Sequence, residues 1–256
     1  MHDLVSIVMP NYNAAKYVEE TLRCVLAQTY TNWELLFVDD CSTDDSVAIV
    51  ERLNDPRIKI LRNEKNSGAA ASRNYALRQA QGKYVAFLDS DDLWASDKLE
   101  KQVAFMQKND YAFTYTYYEE IDGDSQPLHK RITGPAKIGR CKMFRYCWVG
   151  CLTVMYDREK IGLVQINESI AKRNDYAIWL KVCKKADCYA LAETLAKYRR
   201  REGSISHQSK WSLIKYHYRL FRNGEEASAV TASFYTLRNL FWGVYKKIRY
   251  VKRYDR

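Results

Sequence analysis

Across its first 110 residues the chain alternates short apolar runs with longer amphipathic stretches, a rhythm that few folds accept. Val5–Met9, Leu35–Val38, Ile58–Leu61 and Tyr84–Leu88 read as strands, Leu35–Val38 as a buried one. Between the first two, Ala15–Gln28 puts Val18, Leu22, Val25 and Leu26 on one helical face. A second helix is expected to start near Thr43 or Asp44, whose side chain would serve as N-cap, and Gly68–Gln81 is a third. Strands separated by helices pair in parallel through right-handed crossovers, so the expected class is α/β, a sheet flanked by helices.

Beyond a helix at Asp97–Lys108 the rhythm loosens. Tyr111–Tyr118 and Leu152–Tyr156 read as strands, and Asp122–Pro135, polar with Gly and Pro, as a mobile loop. Asp175–Lys185 is expected to be helical, with Ile178, Trp179 and Val182 apolar. Ser209–Arg222 and Glu226–Tyr250 read as long helices rich in basic and aromatic residues.

The charge is distributed as unevenly as the pattern. Residues 197–256 hold 15 Lys and Arg against 4 Asp and Glu, which accounts for all of the net +10. A basic, aromatic segment of this kind suits an anionic membrane surface or a nucleic acid. No nucleic-acid recognition motif accompanies it, so a nucleic-acid partner is not expected. Seven cysteines without a C-x-x-C pair argue against a disulfide framework or zinc ribbon and for a reducing compartment. Met1–Met9 lacks the basic and apolar parts of a secretory signal, and no apolar run reaches the ~18 residues a membrane span needs. The expected location is therefore cytoplasmic, on the inner face of the cell membrane. Twenty tyrosines and six tryptophans fit either core packing or a sugar-binding surface.

In open parallel sheets, ligands gather at the carboxyl ends of the strands. Here those ends read Pro10-Asn11-Tyr12-Asn13, Asp39-Asp40-Cys41-Ser42-Thr43-Asp44 and Asp89-Ser90-Asp91-Asp92. Carboxylates crowded on one edge suit a hard cation with a phosphate or polyhydroxyl ligand. They equally suit the capping of the helices that follow. Either a sugar-transferring or a nucleotidyl-transferring enzyme could use such an edge. The second would want a phosphate-cradling glycine loop after the first strand, and Pro10-Asn11-Tyr12-Asn13-Ala14 is not one.

The motifs V-S-I-V-M-P-N-Y-N, V-D-D-C-S-T-D, G-A-A-A-S-R-N, F-L-D-S-D-D and N-D-Y-A-I-W-L, with Tyr198-Arg199 near the end, resemble family 2 glycosyltransferases of the GT-A fold over roughly residues 4–205. The resemblance implies an inverting enzyme that moves a sugar from a nucleoside diphosphate, typically UDP, to a hydroxyl of a saccharide or lipid-linked acceptor. It implies that Pro10 and Tyr12 wall the nucleobase and that Asp39 accepts a hydrogen bond from it. Arg73 would reach toward the base or diphosphate, Asp89 would sit near the ribose or bridge toward the metal, Ser90 would help bind the donor, and Asp91 would bind the Mn2+ or Mg2+ ion. Asp175 would take the acceptor proton, although Asn174 replaces the family's usual Glu before it. Trp179 would floor the acceptor sugar or pack in the core. Arg199 or Arg201 would close over the diphosphate as a lid, while His207 would reach the metal or remain a free surface side chain.

On this reading residues 1–207 form the catalytic domain, with 1–110 binding the nucleotide sugar and 111–207 supplying the acceptor half and lid. Residues 208–256 form a basic helical tail. Phe234, Leu237, Leu240, Phe241, Val244, Ile248 and Val251 fall at helical spacing within it, as for a helix lying in a headgroup layer. A hairpin packed on the core and a dimer interface are the other readings. The family's processive members carry a Q-x-x-R-W element that is absent here, and Tyr198–Ser206 resembles the corresponding stretch of its non-processive bacterial members. The resemblance thus implies a non-processive enzyme of cell-surface polysaccharide synthesis, making capsule, exopolysaccharide or O-antigen.

Overall fold

The structure, a computed structural model, describes residues 3–170, 172–201 and 210–254. Four parallel strands form the first half of the sheet: β1 (Val5–Asn11), β2 (Trp33–Asp39), β3 (Ile58–Arg62) and β4 (Tyr84–Phe87), in the order β3-β2-β1-β4. Every residue of β2 is buried, as a central strand covered on both faces requires. The crossovers are α1 (Ala15–Leu26), α2 (Ser46–Leu53) and α3 (Gly68–Gln79). In α1 the buried residues Thr21, Leu22, Val18 and Val25 lie on one stripe, as the sequence pattern required.

After β5 (Leu93–Trp94) and α4 (Lys98–Asn109) the sheet becomes mixed. β6 (Phe113–Ile121) is followed by β7 (Pro127–Ile132), β8 (Lys137–Ile138), α5 (Arg140–Arg145), β9 (Val154–Asp157) and α6 (Arg158–Ile161). β9 lies antiparallel between β4 and β6, extending the sheet to β11-β7-β6-β9-β4-β1-β2-β3. The polar stretch expected as a mobile loop thus contains strand β7. Its ladder with β6 is reinforced by Lys130–Glu120 at 2.7 Å and Arg131–Glu119 at 3.1 Å. Cross-strand ion pairs replace apolar alternation there, which is why the pattern hid the strand.

α7 (Asn174–Val182) leads into β10 (Cys188–Arg199), a 12-residue strand parallel to β6 that the sequence reading missed. Register shifts between Leu191 and Ala196 break its alternation. α8 (Lys210–Arg219) ends in a π-helical turn, Leu220–Gly224, and α9 (Ala229–Tyr250) runs into β11 (Val251–Arg253), paired antiparallel with β7. The basic C-terminal segment is therefore part of the sheet. Leu220, Phe221 and Ala232 are buried in the same core as Phe87, Tyr156 and Trp179.

Candidate active site

The carboxyl ends of β1, β2 and β4 meet at one edge, and their side chains are held by specific bonds. Asn11 donates through Nδ2 to Asp39 Oδ1 at 3.1 Å, and the Ser42 amide donates to Asp39 Oδ2 at 3.1 Å. A carboxylate has about four acceptor positions, so Asp39 keeps capacity for a ligand donor. The buried Asn11 Oδ1 beside it has no partner among the described residues. Tyr12, on the same strand end, exposes half of its surface, 50%.

Asp40 and Asp44 are spent on architecture. Asp40 accepts from the amides of Ser67 and Gly68, at 2.8 and 2.7 Å, and from Asn63 Nδ2 at 2.7 Å. It thereby caps α3, whose first residue, Gly68, has the positive φ (82°) that favours glycine. Asp44 accepts from the Ala15 amide at 2.8 Å and from the amide and hydroxyl of Ser46. The capping reading holds for these two carboxylates.

Arg73 is the hinge of the site. Buried on α3, it donates to Asn174 Oδ1 at 2.5 Å and to Asp89 Oδ1, joining the end of β4 to the start of α7. Burial opposes its charge, but the carboxylates of Asp89 and Asp175 outweigh burial and hold the guanidinium more firmly protonated than usual. Asp175, in the first turn of α7, remains partly exposed. Cys151 lies in the same field, and burial pushes its thiol well above the ordinary range, so it is an inert wall and no nucleophile.

On the other flank, Asp91 pairs with Arg201 Nε at 2.6 Å. Burial raises the Asp91 carboxyl, Arg201 lowers it and Asp89 raises it, with a net upward result. Asp92 is buried and accepts from the Arg199 amide at 2.8 Å; burial, then Asp91 and Asp89, push its carboxyl well above the ordinary range. Ser90 is also buried, and its carbonyl accepts from Thr21 Oγ1 at 3.2 Å. Tyr17, unremarked in the sequence, lies beneath both arginines, 5.0 Å from Arg199 and 5.5 Å from Arg201.

Arg199 was expected as part of a lid over the diphosphate. Its guanidinium is buried and fully engaged, donating to the Asp91 carbonyl (2.7 Å), Ser125 Oγ (2.7 Å), the Asp122 carbonyl (3.4 Å) and Glu20 Oε2 (2.7 Å). Held this way it braces the acidic turn, and a direct phosphate contact would break these bonds. Trp179 does not floor an acceptor sugar. It is wholly buried, edge-on to Phe87 at 5.0 Å and beside Phe113 at 5.9 Å. His207, with the Ser204-Ile205-Ser206 stretch, lies outside the described residues.

Among the described residues no three acidic, His or Cys side chains are arranged to hold a metal ion alone. The geometry nonetheless fits a divalent cation that takes oxygens from both protein and donor. The buried Asp92 and the partly buried Asp91 and Asp89 repel one another, and the Arg201 guanidinium already stands as a cation against Asp91. A cation held by one or two carboxylates plus substrate phosphates is the usual arrangement for Mg2+.

Residues 6–165 match the family model described as "Glycosyl transferase family 2", and the chain belongs to that family. It is a nucleotide-sugar-dependent glycosyltransferase of the GT-A fold. A Bacillus subtilis relative, "Putative teichuronic acid biosynthesis glycosyltransferase TuaG", is 43% identical over 90% of this chain and 92% of its own length. The Escherichia coli "UDP-Glc:alpha-D-GlcNAc-diphosphoundecaprenol beta-1,3-glucosyltransferase WfgD" is 42% identical over 79% of each chain. Staphylococcus aureus TarS 1-349, solved in complex with UDP-GlcNAc, superposes with a TM-score of 0.71 at 22% identity, covering 93% of this chain and 72% of that one. Family membership disfavours the nucleotidyltransferase alternative.

Proposed function

We propose that the enzyme transfers a sugar from a UDP-sugar, with inversion, to a hydroxyl of a lipid-diphosphate-linked saccharide in cell-surface polysaccharide synthesis. The observation that carries this reading is the Arg73 bridge, which ties the donor-side carboxylate Asp89 to the segment bearing Asp175. Residues 1–110 then bind the nucleotide sugar, 111–207 the acceptor, and 208–256 carry the membrane-facing helix.

The exposed Tyr12 ring, with Pro10, offers a stacking wall for the base, and Asp39, oriented by Asn11 and the Ser42 amide, accepts the base N–H. Arg73 and Arg201 supply positive charge along the path of the diphosphate, and Asp89 and Ser90 border the ribose. Asp91 would hold the Mn2+ or Mg2+ ion, which when bound with the donor stabilises the charge of the departing diphosphate. Arg201, paired with Asp91 here, is placed to exchange that carboxylate for a phosphate oxygen. Asp175 accepts the proton of the acceptor hydroxyl as its oxygen bonds to the anomeric carbon and the bond to the β-phosphate oxygen breaks. Arg199 acts as a positioning residue for the acidic turn.

The acceptor class is supported by the printed specificity of WfgD and by helix α9. Val230, Phe234, Leu237, Phe241, Val244 and Ile248 form one stripe along α9 and are 58–81% exposed. The helix contains no acidic residue, and Lys247, Arg249, Lys252 and Arg253 cluster at its end. Such a face suits an anionic bilayer, whereas a second copy would bring like charges against it. No helix among the described residues is long and apolar enough to cross a membrane.

Replacing Asp175 with Asn preserves the shape of the site and removes its proton acceptor. The expected outcome is unchanged UDP affinity by calorimetry with transfer reduced roughly 10²–10⁴-fold. Transfer within threefold of the wild-type rate would remove Asp175 as the base.

A further inference from the structure

Two residues before Asp175 stands a further cation, Arg173. Arg173 is partly exposed and has no hydrogen-bond acceptor or carboxylate partner among the described residues, whereas Arg73, Arg199, Arg200 and Arg201 each pair with a carboxylate. Its neighbour Lys172 also lacks a carboxylate partner and lies 4.9 Å from the Tyr216 ring. Arg173 occupies the left-handed region, with φ 63°, where asparagine or glycine would sit more comfortably. The backbone gains nothing from arginine there.

The surroundings of Arg173 locate its charge. It acts on Tyr146 and Cys147 after α5, on Tyr176 of α7, on His217 of α8 and on Lys246 of α9. Burial, and then Arg173, push the His217 imidazole down to about 3, so no second cation forms there. Asp175 acts on Cys147 and Lys246 as well. Arg173, just before α7, and Asp175, in its first turn, therefore share the flank toward α9, while Arg73 and Asp89 occupy the donor flank. A partly exposed guanidinium fork without a carboxylate partner is complementary to phosphate oxygens.

We propose that Arg173, assisted by Lys172, binds the diphosphate of the acceptor and thereby sets which sugar hydroxyl meets Asp175. This rests on the lipid-diphosphate reading of the acceptor given above. The sugar attached to that diphosphate is then presented to Asp175, two residues along the chain.

The test uses the full-length enzyme with Mn2+ and UDP present, and decyl diphosphate as the probe, since it carries no sugar. Arg173→Asn suits the left-handed backbone and leaves the fold undisturbed; Arg173→Lys keeps the charge without the fork. Calorimetry should show decyl diphosphate binding weakened roughly 10–100-fold in Arg173→Asn, the range for losing charge-assisted hydrogen bonds, with partial recovery in Arg173→Lys. UDP affinity should stay within twofold of the wild type. Inorganic pyrophosphate should bind more weakly than decyl diphosphate and respond to the same substitution; if it binds as tightly, the site is a free-phosphate site and the acceptor assignment fails. Equal decyl diphosphate affinity in wild type and Arg173→Asn overturns the role of Arg173 alone. A parallel loss of UDP affinity overturns it in favour of the donor. Failure of the wild type to bind decyl diphosphate at all overturns the acceptor class together with it.

Discussion

Removing the Arg73 guanidinium tests whether the bridge between β4 and α7 is as important to the molecule as its position implies. In Arg73→Met the methylene volume is largely kept, but both hydrogen bonds vanish and Asp89 and Asn174 Oδ1 lose their donor. Breaking a buried ion pair by deleting one partner costs about 3–5 kcal/mol. Asp89 is one-third exposed, 33% of its side chain, so water recovers part of the loss, and about 2–3 kcal/mol is the expected net effect. For a chain of this size that corresponds to a Tm lowered by roughly 4–12 °C. Differential scanning calorimetry of wild type, Arg73→Met, Asp89→Asn and the double variant would measure it. The coupling between the two positions should exceed about 1 kcal/mol, since they share one buried contact. Additive effects, or an Arg73→Met variant that melts within 1 °C of wild type, would refute the bridge.

Two further outcomes follow from the same geometry. Asp92 carries a carboxyl pushed upward by burial and by Asp91 and Asp89, so the native state binds its proton more tightly than the unfolded chain. Stability should therefore fall as pH rises from the unfolded carboxylate value of about 3.9 through the native value, and Asp92→Asn should flatten that limb and stabilise the metal-free protein at neutral pH. Urea midpoints measured from pH 4 to 8 check this; an unchanged slope in the variant contradicts it. For the membrane face, Phe234→Ser, Phe241→Ser and Ile248→Ser together should release the protein from anionic liposomes in flotation while circular dichroism stays unchanged, and equal flotation would dispose of the bilayer reading. Deleting α9 would not be an equivalent test, because its inner face buries Ala232, Thr236, Asn239 and Lys246.

Much of this was legible in one dimension because β1, β2 and β4 are buried on both faces and announce themselves as apolar runs. β7 and β10 were hidden for a physical reason: cross-strand ion pairs in β7 and register shifts in β10 remove the alternation on which strand recognition depends. Arg73, Asp89 and Asp175 were legible as motif residues, and the structure joins Arg73 directly to Asp89 and, through Asn174, to the segment that bears Asp175. For Trp179 the spacing of four from Asp175 left acceptor contact and core packing both open, and the structure bears out core packing. In α7 every residue from Tyr176 to Leu180 is buried, and only the first turn reaches the site. Arg199 misled because a motif position carries no information on burial. Asn11 and Asn174, which orient Asp39 and Arg73, are neutral partners that acquire meaning only once their hydrogen bonds are seen.

The most direct measurement is a calorimetric titration of UDP into wild type and Asp91→Ala, each with and without Mn2+. Wild type should bind UDP more tightly when the cation is present, and Asp91→Ala should lose that difference while its melting behaviour shows a folded protein. UDP affinity indifferent to Mn2+ in the wild type, or equally cation-dependent in Asp91→Ala, would contradict a nucleotide-diphosphate site built on this acidic edge.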